Sequence, residues 1–148
     1  MAVCSINASA TILPLLITAS LTICHLTSPV SASNRLNPGE RLHTFYSLTY
    51  QGRYKLEMNK FCDLVFTDMS QNKEIWASGT RGKGFFCTLK MQSDGNLVMY
   101  KGMGTVVWAS NTNLQSSNNR FFLEVTENVA IRDNKNVIIW FNGINFAH

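Results

Sequence analysis

The sequence predicts an all-β domain in which three similar units surround a pseudo-threefold axis. Three observations support this prediction. Tryptophan recurs at an interval of about 32 residues, short alternating segments are separated by turn-forming residues, and no window beyond residue 32 keeps a helical period. One unit of this length cannot bury its own apolar face, so the three units must share one core.

The tryptophans define the repeat and are the predicted filling of the core. Trp76, Trp108 and Trp140 each follow Ile or Val, and each indole can bury on the order of 200 Å². The central segments of the three units align as 59–67, 92–100 and 124–132.

Each unit is predicted to contain about four short strands, because its apolar and polar residues alternate between turn signals. Gly, Asn, Asp and Ser supply these signals. The turn clusters lie at 68–72, 79–84, 102–104, 111–119 and 133–136.

Residues 1–32 are predicted to be a secretory signal peptide. They contain no Lys, Arg, Asp or Glu, include a mostly apolar stretch at 12–23, and end in a small-x-small pattern at 30–32. The apolar stretch is shorter than the ~20 residues of a membrane span, so an anchor is the weaker alternative. We therefore expect a secreted protein, extracellular or vacuolar, whose domain occupies 33–148.

All charged side chains fall within 33–148, where 13 Lys and Arg stand against 9 Asp and Glu. The sequence shows no stripe of Lys and Arg interleaved with aromatic residues, so nucleic acid is not an expected partner. The stretch of about 116 residues is long enough for one small domain with one core.

Cys62 and Cys87 remain once the signal peptide is removed. An even pair in a secreted chain favours a disulfide over two free buried thiols. The bond would close a loop of about 26 residues and stabilise the fold by about 3.5 kcal/mol in the chain-entropy model. His43 and His148 lie far from both cysteines in sequence, so no metal site is expected, and nothing points to a cofactor.

The candidate binding site is a run of alternating residues in the second unit: Gln92, Asp94, Asn96, Val98 and Tyr100. In an extended strand these side chains would share one face over about 26 Å. Two amides, a carboxylate and a phenol suit a ligand rich in hydroxyl groups. The alternative is an ordinary strand with a polar outer face.

Catalysis is not expected from this run. A glycosidase needs two carboxylates that face one bond, and Asp94 has no second carboxylate on its predicted face. The sequence also offers no Ser/His/Asp set.

These residues resemble the signature of a known family. The run matches the QxDxNxVxY pattern of the bulb-type, or monocot, mannose-binding lectins, the snowdrop-lectin-like family. Segment 108–112 matches the WASNT sequence that follows in that family, segment 34–40 resembles its mature N-terminus, and the two cysteines stand where the family has its disulfide. The resemblance covers 33–148 and implies a β-prism II fold, with three four-stranded antiparallel sheets and a sugar site in each unit.

The resemblance also implies a role for each residue of the run. Asp94 and Asn96 would bind the 2-hydroxyl of D-mannose, Gln92 the 3-hydroxyl and Tyr100 the 4-hydroxyl. Val98 would pack against the ring carbons.

The other two units depart from the signature, so one intact site is predicted. The first unit has Asn59, Phe61, Asp63, Val65 and Thr67 at these positions, and the third has Glu124, Thr126, Asn128, Ala130 and Arg132. Only Val65 and Asn128 are retained.

The family implies two further expectations. Members commonly dimerise by exchanging a C-terminal strand, and a homodimer or heterodimer of this kind is predicted. A secreted, defence-related mannose lectin is the favoured function. The alternative is an interaction protein of the same fold that has lost strong sugar binding and acts as an antifungal, taste-modifying or protease-inhibiting protein.

Overall fold

Short antiparallel strands form three sheets around a common core. The computed structural model describes residues 33–113 and 120–142, and the backbone of 144–145. The predicted signal peptide, 1–32, lies outside the described residues. Within them there is no helix, and thus none with the length and apolarity of a membrane span.

Each sheet takes its strands from one repeat and from the N-terminal segment. The first sheet has the order β3 (Ser47–Tyr50), β4 (Tyr54–Met58), β5 (Leu64–Asp68), β6 (Lys73–Ala77). The second has the order β2 (Arg41–His43), β7 (Thr88–Met91), β8 (Leu97–Lys101), β9 (Thr105–Ala109). The third has the order β1 (Arg35–Leu36), β10 (Phe122–Val125), β11 (Val129–Arg132), β12 (Ile138–Phe141), β13 (Ile144–Asn145).

The N-terminal strands complete the sheets. β1 pairs with β10, β2 with β7 and β3 with β4. The first two repeats therefore supply three strands of a sheet rather than the predicted four, and the N-terminal segment supplies the fourth. In the third sheet, the two-residue strand β13 adds a fifth strand by pairing with β12 of the same chain.

The core is built from equivalent positions of the three repeats. Inward and outward side chains alternate along a strand, and the pairs β4–β5, β7–β8 and β10–β11 each place four equivalent side chains in the core. All of these side chains are fully buried: Leu56, Met58, Leu64, Phe66, Leu89, Met91, Leu97, Met99, Leu123, Val125, Val129 and Ile131.

The three tryptophans meet edge to face, with ring centroids 5.4 to 6.2 Å apart. Trp140 is buried, whereas Trp76 and Trp108 are partly buried and pack against the core. The same rings line a small open pocket together with Ser78. Two of the three rings therefore lie at the margin of the core rather than inside it.

The predicted disulfide is confirmed. Cys62 and Cys87 are bonded and fully buried. Cys62 lies in the β4–β5 turn and Cys87 directly precedes β7, so the bond joins the first sheet to the second.

A pair of buried hydroxyl groups, the hydroxyl clamp, ties the β7–β8 turn to the end of β9. The Ser110 Oγ atom accepts a hydrogen bond from the Leu97 backbone at 2.9 Å. Thr112 Oγ1 donates to the carbonyl of Gly95 at 2.6 Å, and the two hydroxyl oxygens lie 2.6 Å apart. The WASNT segment thus holds the turn through its side chains.

The first repeat has the same clamp, and the third has a substitute. Ser78 and Thr80 are 2.7 Å apart, and Thr80 Oγ1 donates to the Cys62 carbonyl at 2.6 Å. In the third repeat the Asn142 side chain accepts from the Val129 backbone at 2.9 Å.

A register shift occurs at one equivalent place in all three sheets. It falls between Phe66 and Thr67, between Met99 and Tyr100, and between Ile131 and Arg132. Such bulges raise local twist and redirect side chains. In the second sheet the shift lies beside the predicted binding residue Tyr100.

Gly95→Ala should destabilise the fold through a clash as well as through backbone strain. Gly95 has φ +91°, and a Cβ atom there would lie 3.0 Å from the Phe121 ring and 3.1 Å from the Thr112 carbonyl. We expect the free energy of unfolding, measured by chemical denaturation, to fall by about 3 kcal/mol. Gly82→Ala is the control, since Gly82 has φ +85° and no atom within 4 Å of its Cβ position. Equal losses in the two variants would contradict the clash.

Candidate functional site

The five predicted binding residues do not lie along one extended strand. β8 carries Val98 and Tyr100 only, and the preceding residues form the turn that joins β7 to β8. The Gln92 N–H donates to the Asn96 carbonyl at 2.9 Å across this turn. The predicted face of about 26 Å is therefore wrong, because Gly95 adopts the left-handed region and reverses the chain.

The turn instead gathers the polar groups into two bonded pairs. Gln92 Nε2 donates to Tyr100 Oη at 2.6 Å. Asp94 Oδ1 accepts from the Asn96 backbone N–H at 3.0 Å, which forms an Asx turn. The result is a compact polar surface at the end of the sheet, not a long ruler.

Asn96 is held in place from below. Its Oδ1 atom accepts from Ser110 Oγ at 3.2 Å and from the Thr112 N–H at 3.4 Å. Among the described residues, neither the Asn96 NH₂ group nor the second Asp94 oxygen hydrogen-bonds to protein, so both can meet a ligand. The clamp thus fixes one end of the amide and leaves the other end usable.

The exposure of the side chains increases from the floor of the site to its rim. Val98 is 3% exposed and forms the floor, so it offers little surface to a ligand. Gln92, Asn96 and Tyr100 are half-buried, and Asp94 is exposed.

Lys90 is a neighbour that the sequence-based prediction missed. It lines a shallow pocket of about 400 Å³ with Gln92 and Asp94, and also a second pocket with Tyr100. It pairs in register with Arg41, which brings a second cation to the same face. Its place between two inward residues of β7 is the sequence signal that identifies it as outward-facing.

The site can recognise hydroxyl groups but holds no obvious catalytic machinery. The carboxylate accepts hydrogen bonds, and the amides and the phenol both donate and accept them. No group of three or more His, Cys, Asp or Glu residues suited to a metal ion occurs in the part of the chain that the structure describes.

The first repeat has the same turn with different chemistry. Phe61 stands at the position of Asp94, and Thr67 replaces the phenol at the bulge. Asp63 is only 8% exposed, because its Oδ1 atom accepts from the Thr80 N–H at 3.1 Å and from the hydroxyl clamp.

An ion pair occupies the outer face of the first sheet. Lys55 lies opposite Thr67 and Glu57 opposite Val65, and the two charged groups bond to each other. Glu57 therefore takes the place that Lys90 has in the second sheet, and its charge is paired with that of Lys55.

The third repeat has a shorter turn. Thr126 N–H donates to the Asn128 carbonyl at 2.8 Å, as Gln92 does to Asn96, but only three residues separate the strands. The shortening leaves a single residue, Glu127, between Thr126 and Asn128, so the spacing of Gln92, Asp94 and Asn96 is not reproduced.

The shorter turn corrects the predicted alignment of Glu124. The sequence placed Glu124 at the position of Gln92, yet it lies within β10 opposite Ala130. Lys90 lies opposite Val98 in the same way, so Glu124 is the counterpart of Lys90.

Two arginines cover the outer face of the third sheet. Glu124 lies 2.9 Å from the Arg35 guanidinium and 3.2 Å from that of Arg132. Arg35 also stacks 3.9 Å above the Phe122 ring. Arg132 stands where the site has its tyrosine, and its charge is already paired.

Comparisons with known proteins agree with this architecture. A mannose-specific lectin of Dendrobium findlayanum is 42% identical over 80 residues, which are 54% of this chain and 46% of that protein. Curculin-2 of Molineria latifolia is 37% identical over 92 residues, 62% of this chain and 56% of that protein. The chain thus spans about half the length of these curated relatives. A scan against protein-family models finds no match.

Two solved structures share the fold. A monomeric monocot mannose-binding lectin from Gastrodia elata is 46% identical with a TM-score of 0.68, over 76% of this chain and 99% of that one. The mannose-specific agglutinin of snowdrop, Galanthus nivalis, solved with methyl-α-D-mannoside, is 40% identical with a TM-score of 0.61, over 67% and 88%.

The predicted β-prism II fold is therefore confirmed by both the sheet topology and these neighbours. Both neighbours are mannose-binding lectins. Since it covers nearly all of the Gastrodia lectin at 46% identity, the chain belongs to the family of monocot mannose-binding lectins.

Proposed function

We propose that the chain binds D-mannose through one site, formed by Gln92, Asp94, Asn96, Val98 and Tyr100. The supporting observation is their arrangement on the β7–β8 turn. Among the three equivalent turns that the structure describes, this one joins an exposed carboxylate, an anchored amide and a Gln–Tyr pair on one outer face.

The two bonded pairs match the hydroxyl pattern of a pyranose. Gln92 Nε2 and Tyr100 Oη are 2.6 Å apart, a separation suited to hydroxyls on adjacent ring carbons, here the 3- and 4-hydroxyls. Asp94 and Asn96, joined by their Asx turn, would both bind the 2-hydroxyl, with the carboxylate accepting and the amide NH₂ donating.

Selectivity for mannose over glucose follows from the 2-hydroxyl. It is axial in mannose and equatorial in glucose, so the epimer would leave Asp94 and Asn96 unpaired. A polar group that the bound sugar buries without a partner costs about 1–3 kcal/mol, which corresponds to a preference of about 5- to 150-fold.

Asp94→Asn should weaken binding of methyl α-mannoside by about 10- to 150-fold, because a hydrogen bond to a charged acceptor contributes about 1.5–3 kcal/mol. Asparagine can still accept from the Asn96 backbone, so the turn is kept. Tyr100→Phe should cost less, about 2- to 12-fold. Isothermal titration measures both. Thr67→Val and Arg132→Lys, at the positions of Tyr100 in the other repeats, should bind like the parent; a similar loss in either would contradict a single site.

Thr112→Val tests whether the clamp positions Asn96. The change removes the 2.6 Å bond to Gly95 and should lower the free energy of unfolding by about 1–3 kcal/mol. We also expect about tenfold weaker mannoside binding, equivalent to about 1.4 kcal/mol.

Thr80→Val is the matched control, since Thr80 makes the same 2.6 Å bond in the first repeat. It should lower stability similarly and leave mannoside binding unchanged. The proposed positioning role fails if both variants lose binding equally.

One site per chain predicts low valency. The predicted dimer by strand exchange remains a proposal, and sedimentation would show whether the chain is a monomer or a dimer. We note that β13 pairs within its own chain here and that the Gastrodia relative is described as monomeric.

The expected result is poor agglutination of mannose-bearing cells, because a monomer cannot cross-link them and a dimer offers two sites only. Full-strength agglutination that survives Asp94→Asn would overturn the single-site proposal.

Secretion and a defence-related role complete the proposal. The disulfide is typical of an oxidising compartment, and N-terminal sequencing of the secreted protein should begin at residue 33. Growth inhibition of fungi that display mannan would test the role.

The alternative, an interaction protein with little sugar binding, is supported by the departures of the first and third repeats from the signature. Passage through immobilised mannan without retention would favour it, whereas retention with elution by methyl α-mannoside favours the lectin.

A further inference from the structure

Three loops of the first two sheets and the end of β8 bring aromatic and basic side chains to one surface, which we call the aromatic-basic patch. Its aromatic members are Phe45, Tyr46, Phe61, Phe85 and Phe86, and its basic members are Lys60, Arg81, Lys83 and Lys101. The sequence showed no such cluster, because its members come from segments that are separated along the chain.

The patch is continuous. Phe45 packs edge-on against Phe86 at 6.2 Å, and Phe61 against Phe85 at 5.9 Å. The charged groups of Lys60 and Arg81 each lie 5.0 Å from the centre of the Phe61 ring. On the other side, the ammonium group of Lys101 donates to the Lys83 carbonyl at 3.0 Å.

The rings are exposed and the charge is of one sign. Four of the rings are 63–68% exposed: Phe45, Tyr46, Phe85 and Phe86. Single exposed apolar residues are common, but a contiguous group of this kind marks an interaction site. None of the four basic members forms an ion pair with a described carboxylate. The acid of these loops, Asp63, is turned inward by the hydroxyl clamp.

The backbone presents the rings rigidly. The disulfide joins the residue after Phe61 to the residue after Phe86. Phe45 and Phe86 have φ of +70° and +54°, a region uncommon for bulky side chains, and each is fixed by a backbone hydrogen bond of 2.9 or 3.2 Å. Exposed rings are thus held outward despite an unfavourable backbone conformation.

We propose that the aromatic-basic patch docks the protein on bilayers that contain anionic lipid. Exposed phenylalanines gain by entering the boundary of the acyl region, and a surrounding ring of Lys and Arg is attracted to anionic headgroups. A second copy of the chain is a poorer occupant, since four cations would face four others. A sulfated polysaccharide would use the cations but leave the rings in water, and a nucleic acid, whose bases could stack on the rings, is separated from a bilayer by the test below.

Vesicle co-sedimentation tests this proposal with purified protein. Phosphatidylcholine vesicles with and without phosphatidylserine are compared, at low and at raised salt. We expect at least about tenfold stronger binding to the anionic vesicles, reduced by salt and unaffected by excess methyl α-mannoside.

Two patch variants separate the contributions of the rings and the charges. Phe45→Ser with Phe85→Ser removes exposed rings, and Lys60→Gln with Arg81→Gln removes charges; each should lower binding about tenfold or more. Val137→Ser with Lys135→Gln is the matched control on the third repeat, where both side chains are exposed, and should bind like the parent.

Several results would overturn the proposal. These are absence of vesicle binding, equal binding to neutral vesicles, or self-association that the ring variant abolishes. Retention on heparin or single-stranded DNA that survives loss of the rings, without vesicle binding, would assign the patch to a soluble polyanion instead. Mannoside binding is measured in parallel, so this outcome is independent of the proposed lectin activity.

Discussion

The candidate site depends on the conformation of the β7–β8 turn, which the hydrogen bonds of Ser110 and Thr112 fix. They tie the end of β9 to the β7–β8 turn, so that Gly95 is held under the Phe121 ring and the turn cannot straighten. Buried hydroxyls that satisfy each other and a backbone carbonyl leave no alternative packing without an unpaired polar group. The same bonds carry Asn96 into position. Stability of the hairpin and geometry of the ligand surface are thus one constraint, and neither can change without the other.

The clamp also explains why an equivalent turn need not bind sugar. In the first repeat Asp63 takes the place of Asn96, and its charged oxygen draws the Thr80 N–H to 3.1 Å, against 3.4 Å for the Asn96 contact with Thr112. A carboxylate has no N–H or O–H group, so Asp63 cannot donate a hydrogen bond to a sugar hydroxyl, whereas the NH₂ group of Asn96 can. In the third repeat the turn has lost two residues, and the outer face is filled by a Glu124 carboxylate between two arginines. The first and third repeats therefore differ from the second for different physical reasons.

The sequence predicted the large features because each rested on a repeated or paired signal. Regular tryptophan spacing indicated three sheets, and an even cysteine pair indicated the disulfide. The local geometry of the site was missed. The alternation from Gln92 to Tyr100 has the period of a strand. In the structure, Gly95 adopts the left-handed region and turns the chain. The cause lies in the tertiary contacts of Gly95, which the sequence does not show. Likewise, Glu124 was aligned with Gln92 instead of Lys90, because the turn of the third repeat is two residues shorter and an alignment by strand period cannot detect this. Lys90 and the patch arise from pairing between strands and loops, which a linear pattern does not contain.

The first two turns show how one framework supports two surfaces. Both turns need a residue with positive φ at the same place: the second repeat uses Gly95, at +91°, and the first uses Cys62, at +60°. Glycine takes this conformation at no steric cost, whereas cysteine must be held there, and its disulfide to the second sheet supplies the restraint. That bond brings the Phe61 turn beside the segment that carries Phe85. At the position of Asp94, a proposed sugar ligand, the first turn has the Phe61 ring, which packs against the Phe85 ring at 5.9 Å. Phe61 thus places an apolar ring where the second repeat has the Asp94 carboxylate, in a turn that the disulfide restrains.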